Sequence, residues 1–149
     1  MLVHMHREID KLKKQILALG ALVEETVQLS LRALAGGDNA LAKRVFERDE
    51  EIDRQEVAIE EECLKILALY QPVAVDLRFV VALLKINNDL ERVGDQAVNI
   101  ANKVAVTAGA SSDTVLRVFE EEMVEKVLWM LRESLNALVN MDVDLARRV

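Results

Sequence analysis

From Asp38 through Gln71 the chain runs without a glycine or a proline. So long a stretch without breakers, rich in Ala, Leu, Val, Glu, Lys and Arg, is built for helix. It leaves no room for the closely spaced turns of a β-sandwich or an α/β sheet. The whole chain shares this character: its 149 residues include five glycines and one proline, with 52% hydrophobic, 30% charged and 3% aromatic residues. That apolar fraction excludes a disordered polymer.

Hydrophobic spacing divides the chain into helices. Ile9, Leu12, Ile16, Leu19, Val23, Thr26, Ser30 and Ala33 recur at steps of three and four until Gly36-Gly37. Asp38 is placed to cap a second helix reaching Tyr70, which Gln71-Pro72 ends because proline lacks the amide hydrogen that a continuing helix uses. A third helix is expected over residues 73–105. The small-residue stretch at residues 108–114 reads as a linker with Asp113 as a cap. A fourth helix is expected from Thr114 to Met141, with Leu116, Phe119, Met123, Val127, Met130 and Ala137 on one face. Consecutive long helices joined by short turns lie antiparallel, so the fold class is all-α, an up-down-up three-helix bundle.

A repeat extends this reading. Shifted by 104 residues, Ser30–Val45 falls on Ser134–Val149 with nine of sixteen positions identical. The capping Asp38 meets Asp142, and the shift carries Leu12 onto Leu116 and Val23 onto Val127. The fourth helix therefore replays the first. The expected organisation is a complete bundle over residues 1–107, the linker, and an incomplete second unit over 115–149. Such a unit would leave an apolar face open unless another chain covers it, which predicts self-association, with a homodimer as the simplest case.

Several classes of function are disfavoured. The longest apolar run, Phe79 to Leu84, is far too short to span a bilayer, and the start MLVHMHREIDKLKK lacks the apolar core of a secretory signal. One cysteine, Cys63, permits no internal disulfide and no thiolate zinc site, and its seam position suits a small core residue. A reducing compartment, the cytoplasm, is expected. The net charge of −7 opposes nucleic-acid binding as the main task. No nucleophile–base pair, phosphate-binding glycine loop or Walker motif supports an enzyme.

The acidic residues carry the chemistry. The second helix has a seam of Ala42, Val45, Asp49, Ile52, Glu56, Ile59, Cys63, Ile66 and Tyr70, apolar or semi-apolar except at Asp49 and Glu56. Carboxylates bound for a core need a partner or a cation. The third helix has one apolar seam (Phe79, Leu83, Ile86, Leu90, Val93, Ala97, Ile100, Val104). Its second seam fails at Asn87, Glu91 and Gly94. Asp49–Asp53 and Glu91–Asp95 are i, i+4 pairs, each on one helix face. Asp53 and Glu91 each stand nineteen residues from Pro72, and Asp49 and Asp95 twenty-three. At about 1.5 Å per residue both pairs lie at one level, roughly 30 Å from the turn. Four carboxylates at one level repel unless a cation sits between them; Fe, Mn, Mg and Ca suit oxygen donors. Gly94 would admit a bulky group. The alternative is a solvated face on which these acids pair with Arg48, Arg54 or Arg92.

QPVAVDLRFVVALLKINNDLERVGDQAVNIANK resembles the PhoU family, accessory regulators of phosphate-specific ABC transport. The resemblance rests on Gln71, Pro72, Ala74, Asp76, Leu77 and Arg78. It continues through Leu84, Lys85, Asp89, Leu90, Glu91, Arg92, Val93, Gly94, Asp95, Ala97, Asn99, Ile100 and Ala101, with ERDEEIDRQEVAIEEECLKILAL upstream. It covers residues 8–107 and implies tandem PhoU-like, spectrin-like three-helix bundles. It implies multinuclear metal clusters, of iron or zinc with magnesium, manganese or calcium as alternatives, held here by Asp49, Asp53, Glu91 and Asp95. It further implies a cytoplasmic, non-enzymatic negative regulator of phosphate uptake and starvation signalling. The implied partners are the phosphate transporter's ATPase subunit and a phosphate sensor histidine kinase. The counterparts of the four acids in a second bundle would all fall past Val149, which weighs against a second cluster in this chain.

Other residues carry less. Glu56, Asp89 and Asn99 are candidate additional ligands or supports, and Asp76 and Arg78 a candidate partner surface near the turn. His4 and His6 lie at an end expected to be frayed. Trp129 falls off the main stripe of its helix and is expected to pack on another bundle or chain. A metal-free helical adaptor is one competing function. A di-metal carboxylate oxidase is another, disfavoured because it draws on Glu-x-x-His pairs and the only histidines are His4 and His6.

Overall fold

A computed structural model describes residues 2–107 and 121–149, and among these no strand is present. The helices are α1 (Leu2–Gly36), α2 (Asn39–Tyr70), α3 (Ala74–Asn102), α4 (Val104–Thr107), α5 (Glu121–Asn140) and α6 (Val143–Arg148). α1, α2 and α3 pack pairwise as the expected up-down-up bundle, and α5 lies against α1. The expected third helix to Ala105 breaks at Lys103 and resumes as α4. The linker at 108–114, with Asp113, and the start of the fourth helix lie outside the described residues, as do Leu116 and Phe119.

The predicted stripe of α1 is buried along its length, from Ile9 to Ala33. Its two hydroxyls bond within the helix, Thr26 Oγ1 to the Leu22 carbonyl at 2.7 Å and Ser30 Oγ to that of Val27 at 2.8 Å, so neither is stranded in the core. Near the start of α1, Met5 and Ile9 join the main core. His6 lies beside Asp76 at 3.3 Å, tying the start of α1 to that of α3.

The repeat is reproduced in the turn that ends each helix. After α1, Gly37 N–H donates to the Leu34 carbonyl and Asp38 N–H to that of Ala33, with Gly37 left-handed at φ 61°. After α5, Met141 donates to Leu138 and Asp142 to Ala137, with Met141 at φ 54°. Asp38 then caps α2 through Ala40 N–H and Leu41 N–H, and Asp142 caps α6 through Leu145 N–H. The second turn does this without glycine, at the steric expense of a side chain in the left-handed region.

α5 docks on α1 through Leu128, Leu131, Leu135 and Leu138, not through the stripe expected from the sequence: Met123, Val127 and Met130 face outward, and Ala137 is covered. Close approach is permitted at Gly20, where an added Cβ would fall 2.1 Å from Leu135 Cδ1. Arg132 of α5 pairs with Glu24 one turn further along α1. Alanine at position 20 meets only the flexible tip of Leu135, but Gly20→Leu requires α5 to move. We expect it to destabilise the α1–α5 contact by about 1–3 kcal/mol while leaving the three-helix bundle folded. Trp129, the single tryptophan and itself on α5, reports this: its emission should shift while far-UV dichroism stays unchanged.

Candidate metal centre

The core is divided at the level of Asp49. On the Pro72 side lies the main cluster with Ile52, Ile59, Leu83 and Leu90; on the Gly37 side lies a smaller one of Ala33, Leu34, Ala42, Val45, Ala97, Ala101 and Val104. The seam of α2 passes from Val45 to Ile52 through Asp49, and that of α3 from Leu90 to Ala97 through Gly94. Gly94 is what lets the helices meet here. A Cβ on it would stand 3.1 Å from Ile52 Cδ1 and 3.5 Å from Asp49 Oδ1.

The structure brings the two carboxylate pairs together. Asp49 Oδ1 is buried with no hydrogen-bond partner. Burial holds the Asp49 carboxyl above its ordinary range, and the charges of Asp53, Asp95 and Glu50 push it the same way. Glu91 is raised by burial first, then by the charge of Asp95 and a hydrogen bond with it, and then by Asp53 and Glu56. Glu56 is raised by burial, then by Glu60 and Asp53. These acids sense one another and no cation.

The arginine alternative does not occur among the described residues. Arg48 turns to Glu51 at 3.4 Å and Glu25 at 4.0 Å, Arg92 to Asp89 at 3.3 Å, and no ion pair involves Asp49, Asp53, Glu91 or Asp95. Asp89 is accordingly not with the cluster, since two residues from Glu91 is about 200° around the helix. Asn99 is exposed and its Nδ2 donates to Gln96 Oε1 at 3.4 Å, so it too stands apart. Asp76 is engaged by His6 while Arg78 is exposed at the Pro72 end. Cys63 is an inert core residue, its thiol pushed up to about 11 by burial and by Glu60 and Glu62.

Asn87 belongs to this region in a way that spacing did not reveal. It is buried, and its Nδ2 donates to the Glu56 backbone carbonyl at 2.8 Å and lies 3.5 Å from Glu56 Oε1. Its Oδ1 is buried without a partner. The break in the apolar seam at Asn87 was the available signal.

As placed, no three histidine, cysteine or acidic side chains among the described residues converge on one point. The donor set nevertheless fits a hard cation: oxygen ligands on two facing helices, an orphaned buried carboxylate oxygen, and a glycine opposite it. Among the described residues no helix is long and apolar enough to cross a membrane.

Comparison with known proteins agrees with this architecture. Residues 16–104 match the PhoU domain. The chain is 37% identical over 142 residues to a phosphate-specific transport system accessory protein PhoU homolog of Pseudomonas putida, covering 95% of this chain and 56% of that protein. It is 35% identical to the phosphate-specific transport system accessory protein PhoU of Escherichia coli K12, covering 95% and 58%. The chain thus spans a little over half the length of these curated relatives. Among solved structures, PhoU from Pseudomonas aeruginosa superposes with a TM-score of 0.83 at 34% identity, covering 96% of this chain and 68% of that one. The phosphate transport system regulatory protein PhoU from Streptococcus pneumoniae gives 0.84 at 33%, covering 97% and 67%. With the domain matched over residues 16–104 and relatives in sequence and backbone matched over nearly the whole chain, the chain belongs to the PhoU family.

Proposed function

We propose that the chain is a cytoplasmic, metal-binding regulator of phosphate uptake and phosphate-starvation signalling, and not an enzyme. In this reading it acts as a negative regulator, through contact with the ATPase subunit of a phosphate ABC transporter and with a phosphate sensor histidine kinase. Relatives named as accessory proteins of phosphate-specific transport support the regulatory role. The exposed Arg78 beside the Pro72 turn is the proposed partner surface, with Asp76 next to it.

The observation that carries the metal reading is the set of four acids without a basic partner, one presenting a buried, unbonded oxygen. Asp49, Asp53, Glu91 and Asp95 would hold the metal, with Glu56 adjacent and Asn87 fixing Glu56's backbone. A bound iron or zinc cluster, or magnesium, manganese or calcium, would supply positive charge that neutralises the carboxylates and joins α2 to α3. Asp49 and Glu91 gain most, being the desolvated pair. The competing reading is a metal-free adaptor, which the lack of three convergent side chains among the described residues favours.

Metal content separates the two. Plasma mass spectrometry on protein purified without chelator should find stoichiometric metal in the parent. The Glu91→Ala/Asp95→Ala variant, still helical, should bind at least about 100-fold more weakly, because two ligands are lost outright and even supporting residues are worth 10- to 100-fold. A parent that stays empty after exposure to Fe, Zn, Mn, Mg and Ca would leave the adaptor as the answer.

A further inference from the structure

The chain is acidic, with a net charge of −7, yet one groove gathers three arginines around a single acid. It runs between α1 and α2 near the Gly37 turn and is lined by Glu25, Gln28, Leu29, Arg32, Arg44 and Arg48. The helical hairpin puts them there. Gln28 and Arg32 share a face of α1 at i, i+4, and Arg44 and Arg48 share one of α2. Arg32 stands five residues before Gly37 and Arg44 seven after it, so an antiparallel pair sets them at nearly one level.

Cations gathered in this way repel one another, and the chain's many acids do not relieve them. Among the described residues Arg32 and Arg44 enter no ion pair. Arg48, half-buried, is shared between Glu51 at 3.4 Å and Glu25 at 4.0 Å, and the Glu25 side chain is 66% exposed. With three positive lining side chains and one negative, the groove holds an excess of two positive charges. The fold does not demand this cluster: in the repeat Arg44 recurs as Arg148, but Asn136 stands where Arg32 does. The groove also lies on the α2 flank of α1, whereas the exposed apolar strip of α5 adjoins Ile100 of α3.

We infer that this groove binds a phosphoryl dianion, either free orthophosphate or the phosphoryl group of a small phosphomonoester. Guanidinium forks match phosphate oxygens two hydrogen bonds at a time, and Gln28 adds an amide donor. The two negative charges cancel the groove's excess of two. The size agrees: about 170 Å³ is room for five or six waters at about 30 Å³ each. That space encloses a tetrahedral oxyanion, and leaves the rest of any larger ligand outside. A bound anion joins Arg32 of α1 to Arg44 and Arg48 of α2, and competes with Glu25 for Arg48. The inference needs neither the metal nor a protein partner, so it stands apart from both parts of the regulatory reading.

Titration calorimetry on the full chain tests it, with inorganic phosphate and adenosine 5′-monophosphate as the two probes. The protein is stripped of metal and returned to chelator-free buffer, so that a metal-loaded acidic cluster captures neither probe. Saturable binding at one per chain should appear with at least one of them. Arg32→Gln and Arg44→Gln should each weaken it by about 10-fold or more, the scale of a lost hydrogen bond to a charged group, with dichroism unchanged. Glu25→Gln removes the competing carboxylate and should tighten binding several-fold. Lys14→Gln, which removes an exposed cation elsewhere on α1, should leave it unchanged. Tighter binding of phosphate assigns the groove to the free anion; tighter binding of the monophosphate assigns it to the head group of a larger ligand. No saturable binding of either probe, or binding that survives in the Arg32→Gln/Arg44→Gln double variant, would overturn the site.

Discussion

Ile52→Ala should lower the unfolding free energy by about 2–5 kcal/mol, toward the upper end of that range. Ile52 has 0% exposure and sits where α2 packs against Gly94 of α3. The facing residue is Gly94, whose missing side chain Ile52 fills; its Cδ1 lies 3.1 Å from where a Cβ would be. A glycine cannot collapse into the vacated volume, and the polar neighbour Asp49 is a poor substitute for apolar contact. Urea and thermal unfolding followed by dichroism should show the melting temperature falling by roughly 5–15 °C. Val57→Ala on the same helix, at a side chain 49% exposed, should stay within about 0.5 kcal/mol of the parent. An Ile52→Ala protein as stable as Val57→Ala would mean that α2 and α3 do not meet as described.

The close packing behind that prediction was partly legible in the sequence. Helical period, the Asp38 cap and the Pro72 stop located α1, α2 and the turn between α2 and α3, because each is a local signal that tertiary context did not override. The equal distances of the acids from Pro72 placed them at one level, since an antiparallel hairpin has only one register about its turn. Whether those acids would find arginines was not legible. Arg48 lies next to Asp49 in sequence yet faces Glu25 and Glu51, a choice made by side-chain direction around α2. Asn87 read as a failure of the seam, whereas it is buried and bonded to a helix carbonyl. The orientation of α5 was not legible because two of its faces follow helical spacing, the stripe through Met123, Val127 and Met130 and the leucine face of Leu128, Leu131, Leu135 and Leu138 that docks. The deciding feature, Gly20 on α1, lies more than a hundred residues away in the chain.

Metal loading should stabilise the fold by about 3–4 kcal/mol at several hundred times the dissociation constant, because only the folded chain assembles the four carboxylates. The two forms should respond to pH in opposite ways. In the metal-free chain, Asp49 and Glu91 have folded values above their ordinary 3.8 and 4.5, so the folded state holds protons that the unfolded state releases. The slope of stability with pH is then negative for these groups: their penalty is absent below the ordinary values and complete above the raised ones. Metal must displace those same protons, so its contribution is lost as pH falls through the window and full above it. Melting curves with chelator and with saturating metal should therefore diverge as pH rises from about 4 towards neutrality. Asp49→Asn removes the acid with the stranded oxygen. It should flatten this part of the chelated curve relative to the parent and shrink the gain from metal. Parallel curves for the chelated and loaded parent would show that no titrating carboxylate of this cluster takes part in binding.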